Sequence, residues 1–189
     1  MPRLTTALIA GTVLTLTQPL TPALAAERLQ VPELPGWKVL SSVSDRNGEV
    51  TELVPGGESA DTWTRRATVQ AFRNTPMTAA AFLDQVVERT AQVCDQASAG
   101  PASSGVVGGH EAGSRTVTCG RYKGDGRGSM TMYFVVRGKA AFYVVSRAWR
   151  GQPFAQGEVP VPQPELATWV EFMNGVDLCD TADPSRPCR

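Results

Sequence analysis

The run SMTMYFVVRGKAAFYVVSRAWR, residues 129–150, restricts the fold more than any other part of the chain. Met130, Met132, Phe134 and Val136 fall on one face of an extended segment, yet Tyr133, Val135, Phe142 and Val144 are also apolar. A strand wetted on one side alternates apolar with polar, whereas a strand covered on both sides does not. The Arg137-Gly138-Lys139 turn joins the two halves into a hairpin, which is therefore expected in the centre of a sheet with material packed on both faces.

The rest of the chain supplies that material. Trp37 to Val43 and Glu49 to Val54 read as two strands closed by Asp45-Arg46-Asn47-Gly48, where Asn-Gly is expected to supply positive φ angles. The stretch VPGGESADTWTRRATVQ follows. Trp63, Arg65, Ala67, Val69 and Ala71 share one face of its second half, so Trp63 is expected to begin a core face. Thr75-Pro76 offers a cap, and TAAAFLDQVVERTAQVC places Leu83, Val86, Val87, Thr90 and Cys94 at helical spacing. GPASSGVVGG reads as a loop and SRTVTCGRY as a strand. A second helix is expected in PELATWVEFMNGVD, with Leu166, Trp169, Val170 and Met173 on one stripe. Short turns between the later strands disfavour parallel crossovers. The order implies an α+β fold, an antiparallel sheet of about five to seven strands packed by two helices.

Residues 1–26 carry Arg3, an apolar run from about Leu4 to Leu16, Pro19, Pro22 and Ala23-Leu24-Ala25, the pattern of a signal peptide cleaved after Ala25 or Ala26. The apolar run is short of the roughly 20 residues a membrane span needs. Residues 27–189 are then expected to form one domain, periplasmic or secreted, with no stable membrane insertion after cleavage. Its four cysteines, Cys94, Cys119, Cys179 and Cys188, are even in number, which in an exported chain favours disulfides. Three connectivities are open to four cysteines, of which 94–119 and 179–188 are favoured; the second would restrain the polar tail. Thiolates lack C-x-x-C spacing, so no metal and no cofactor are expected.

Lys+Arg and Asp+Glu both number 18, so no global field selects nucleic acid as a partner. The chain has a single histidine, His110 in GGHEAG, the one candidate base for a serine-type hydrolase, and a lone loop histidine is usually solvated. Carboxylate pairs such as Glu58 with Asp61 fall in turns. The GDGRGS segment reads as a hairpin tip, lacking the strand-before and helix-after context of a phosphate loop. A different constellation is formed by arginines from strands or strand ends: Arg65, Arg66, Arg147 and Arg150 above all, with Arg115 and Arg121. Gathered together they could hold carboxylates or an acidic partner surface.

VPGGESADTWTRRATVQAF, the helix ending at Cys94, and AAFYVVSRAWR together resemble small exported bacterial proteins of unassigned function with a PsbP/Mog1-like α+β shape. That resemblance implies a fold and an envelope setting, and no catalytic residue, since the shape hosts mainly accessory and binding proteins. The expected function is an exported, non-catalytic periplasmic accessory or protein-binding module, an inhibitor or immunity-type protein among its forms, whose partner is another envelope or secreted protein. The alternatives are a small secreted hydrolase using His110 and a small-ligand carrier.

Overall fold

A computed structural model describes residues 27–188; the signal-peptide assignment over residues 1–26 lies outside them. The elements run β1 (Glu27–Gln30), β2 (Trp37–Asp45), β3 (Gly48–Pro55), β4 (Arg65–Phe72), α1 (Ala79–Val93), β5 (Cys94–Ala99), β6 (Ser103–Val107), β7 (His110–Tyr122), β8 (Gly128–Arg137), β9 (Phe142–Gly151), α2 (Gln163–Asn174) and β10 (Asp177–Asp180). Eight strands form an antiparallel sheet in the order β2-β3-β4-β9-β8-β7-β5, with β6 also paired to β7. β1 and β10 form a separate antiparallel ribbon.

The β8–β9 hairpin is central, as its apolar faces require. Residues 142–148 of β9 are all buried. Val144 and Val135 pack with Phe142, Ala79 and Leu83 beneath α1. One residue along, Val145 packs with Phe172, Met173 and Val176 beneath α2. Successive side chains point to opposite faces, so the two helices cover opposite sides of one sheet. The β1–β10 ribbon shares the α2 side, where Leu178 packs with Ala71, Val136 and Tyr143.

The count of strands is larger than the sequence suggests. β5 and β6 replace an expected helix end and an expected loop, and β1 and β10 are added as a ribbon. Cys94 is therefore not the last residue of the helix face. It caps α1 in an extended conformation (φ −124°, ψ 135°) and starts β5. The helix itself begins later than Thr75-Pro76: Thr78 is its N-cap, its hydroxyl accepting from the Ala81 amide at 3.2 Å. The β2–β3 turn also differs in its mechanism. Asn47 does not have positive φ; the Asp45 carboxylate instead accepts from the amides of Asn47 (2.7 Å) and Gly48 (3.1 Å).

Two disulfides are present. Cys94–Cys119 spans 5.6 Å between Cα atoms and joins the neighbouring strands β5 and β7 where α1 ends. Cys179–Cys188 folds the tail back on β10 with 4.9 Å between Cα atoms. Among the described residues, no helix is long and apolar enough to cross a membrane.

Candidate functional site

The register of β4 and β9 decides which arginines meet. Arg65 lies opposite Trp149, Arg66 opposite Ala148, and Ala67 opposite Arg147. Cross-strand partners share a face, so Arg65 and Arg147 look toward α2, while Arg66 and Arg150 look to the other side. The four candidates thus form two pairs on opposite surfaces and not one patch. Arg115 joins neither pair: its Nη1 is 2.8 Å from Asp84 of α1 and its Nε donates to the Gly100 carbonyl. Arg121 is exposed at the register position opposite Asp95.

On the first surface, Arg66 and Arg150 converge on Trp63. Their guanidinium carbons lie 4.4 and 4.1 Å from its ring centroid. Trp63 is half-buried and belongs to no core cluster, which corrects its expected place at the head of a core face. The loop before β4 is built to present it. Glu58 accepts from the Thr64 amide (2.7 Å) and the Arg65 amide (3.2 Å), while Arg150 donates to the Trp63 and Asp61 carbonyls at 3.2 and 3.1 Å. Burial would raise the Glu58 carboxyl, but the bonds it accepts from the Thr64 hydroxyl and the Thr64 and Arg65 amides, with the Arg65 charge, outweigh it and hold it below the usual carboxylate range. Arg66 is balanced by Glu52 at 2.9 Å.

Trp63, Arg66 and Arg150 line a cleft of about 280 Å³ with Tyr122, Arg127 and Ser129. Burial, reinforced by the neighbouring Arg127 charge, lowers the Arg150 pKa, and Asp125 opposes the shift. Arg127 is exposed and makes no ion pair with the described residues. The cleft therefore combines two aromatic rings with three guanidinium groups, one of them free to pair. Sequence reasoning missed Trp63, Tyr122 and Arg127 as members. The available signal was tryptophan two residues ahead of an Arg-Arg pair, a composition typical of binding surfaces.

On the opposite surface, Arg65 makes a two-point ion pair with Glu165 in the first turn of α2, with Nη2 to Oε2 at 2.7 Å. Arg147 is different. It is only 6% exposed, and its side chain has no ion pair or hydrogen bond with the described residues. Its charge rests against Trp37, Phe172 and Trp169, at 4.7, 5.0 and 5.9 Å. Burial pushes its guanidinium down to about 10; Glu165 draws it back up and Arg65 adds to the fall. It remains a cation at neutral pH.

His110 is not a solvated loop residue. It opens β7 after the Gly108-Gly109 turn, and its Nε2 is 3.8 Å from Oε2 of buried Glu27. Glu27 in turn accepts from the amides of Lys139 (2.7 Å) and Ala140 (3.0 Å) in the β8–β9 turn. A hydrolase would need a hydroxyl on the imidazole. Among the described residues the imidazole instead faces a carboxylate engaged in holding a turn. No three of the described histidine, cysteine, aspartate and glutamate residues gather at metal-binding distance.

No protein-family model matches the chain, and no curated protein matches it. Among solved structures, the crystal structure of LpqN involved in cell envelope biogenesis of Mycobacterium tuberculosis is similar over 82% of this chain and 84% of that one. The identity is 11% and the TM-score 0.36, so the functional reading rests on the geometry of this chain alone.

Proposed function

We propose that the chain is an exported, non-catalytic binding module of the cell envelope or the secreted space, and that it captures a protein partner through the Trp63 cleft. The partner's contacting segment carries a carboxylate. The observation that carries this reading is the convergence of Arg66 and Arg150 on one half-buried tryptophan beside Arg127, which makes no ion pair with the described residues. Tryptophan, tyrosine and arginine are the side chains that most often dominate binding energy at protein interfaces. An acidic side chain entering here would meet Arg127 and stack its stem on Tyr122 or Trp63. Inhibitor or immunity roles are forms of the same activity, and a PsbP/Mog1-like kinship belongs to this proposal as its fold-level companion. The two disulfides are what an oxidising compartment would maintain.

The test is affinity capture from native envelope extract with three proteins in parallel: the wild type, Arg127→Glu, and His110→Ala. Arg127 is exposed and makes no ion pair with the described residues, so its reversal should leave the thermal midpoint unchanged. A protein retained by the wild type and by His110→Ala but lost with Arg127→Glu supports the cleft. Retention unaffected by Arg127→Glu removes it as the docking site, and loss with His110→Ala alone moves the docking surface to the His110 side.

A further inference from the structure

Arg147 is an unusual residue for a purely structural position. It occupies the middle of β9, opposite Ala67 on one neighbour and Met132 on the other, where the inward pattern calls for an aliphatic side chain. A buried cation is tolerated when it is paired, and here the carboxylate whose charge acts on it, Glu165, is already engaged by Arg65. Three aromatic rings offset part of the desolvation cost, but ring faces accept no conventional hydrogen bond from the five N–H donors of the guanidinium. Its Nε is buried with no hydrogen-bond partner among the described residues.

Arg147 also lines an open groove of about 370 Å³ together with Trp37, Phe172 and Thr168. Beside it, and sharing Glu33, Leu34 and Phe172, is a largely apolar groove of about 400 Å³ lined by Val31, Leu53 and Val69, between the sheet and α2. Exposed Glu33 and Glu171 stand at the rim of the Arg147 groove. A cation with an unfilled fork, aromatic walls, an apolar annex and an acidic rim together describe a ligand. The fork matches a carboxylate in two-point geometry, the walls and annex take an apolar body, and the rim repels a second negative charge.

We propose that Arg147 is the carboxylate-binding residue of a small-molecule site, and that the site takes a monocarboxylate with a compact apolar body. This site lies on the opposite face of the sheet from the Trp63 cleft and is independent of it.

Phenylacetate is the first probe, followed by the Trp37 indole resonance in NMR titrations of the full folded domain. Saturable binding is expected. Phenylacetamide, the same shape without the charge, should bind roughly tenfold more weakly or worse. Phenylmalonate should also bind more weakly, because its second carboxylate meets Glu33 and Glu171. Arg147→Met keeps an unbranched apolar stem, shorter than that of arginine, and removes the charge, and should abolish binding while leaving the thermal midpoint unchanged or raised, as replacement of an unpaired buried charge predicts. Should Arg147→Met fail to fold, Arg147→Lys and the wild-type comparison of acid with amide decide the matter without it. The proposal is overturned if phenylacetate gives no saturable shift, if the amide binds as tightly as the acid, or if Arg147→Met or Arg147→Lys binds phenylacetate as well as the wild type.

Discussion

The Arg65 guanidinium and the Glu165 carboxylate form a two-point ion pair that ties β4 to the first turn of α2, across 100 residues of sequence. Both partners are about three-quarters buried, Glu165 also lies at the favourable end of the helix dipole, and its charge faces Arg147 as well. Glu165→Gln should therefore cost more than an exposed salt bridge and less than a fully buried one, about 1–2 kcal/mol. A urea titration followed by tryptophan fluorescence checks it. Arg65→Met alone should cost less than Glu165→Gln, because the glutamine leaves two cations facing each other. The reverse order would show that Glu165 acts only through Arg65.

The disulfides should differ in what they contribute. Cys94–Cys119 closes 25 residues and Cys179–Cys188 closes 9. Loop-closure entropy then gives about 3–4 kcal/mol for the first and about 2–3 for the second. Serine replacement of each pair, with stability measured by equilibrium denaturation, should reproduce that order. The shorter bridge has local support: Arg186 donates to the Gly108 carbonyl and to Asp183, with 2.9 Å between Nη2 and Oδ2. Losing it should therefore loosen the tail and β10 before the large sheet. Hydrogen exchange resolved by residue would show protection lost in residues 177–188 and retained in β8 and β9; uniform loss would contradict this.

Central elements were legible because burial writes itself into composition. Phe142, Val144 and Val145 can be read as doubly covered from their spelling alone, and the two helices from their spacing. Edges were not. In β6, SSGVV is mostly exposed, and in β5, CDQASA buries Cys94 alone, so no apolar period marks either, and the positive φ of Gln96 (66°) interrupts β5 further. β1 and β10 have four residues each and acquire their pairing from tertiary contact. The arginines were found as a class, but their division between faces depends on the β4–β9 register, which no local pattern supplies. Arg147 did carry a signal: it shares its parity with Tyr143 and Val145, both buried, and so stood at an inward position of a strand expected to be covered on both sides.

Glu27 and Tyr143 provide a pH-dependent measurement of how the ribbon is fastened. The Tyr143 phenol is raised well above its ordinary value, first by burial and then by the Glu27 charge and its hydrogen bond. A raised folded-state pKa means that ionisation opposes folding. Stability from this group is complete below the ordinary tyrosine value of about 10 and is lost as pH rises from there toward the folded-state value. Glu27→Gln keeps the size of the side chain while removing the negative charge, so the Tyr143 titration should move down, toward but not to the ordinary value, because burial remains. The same change weakens the bonds to the Lys139 and Ala140 amides and should cost about 1–3 kcal/mol at neutral pH. Tyr143→Phe should reduce the alkaline loss, leaving the part that comes from Tyr133, whose phenol burial also raises, and should leave acid stability as it was. Tyrosinate absorbance and denaturation midpoints, followed together from neutral to strongly alkaline pH, separate the two contributions. An unchanged tyrosinate titration in Glu27→Gln would show that the Glu27 carboxylate plays no part in the shift.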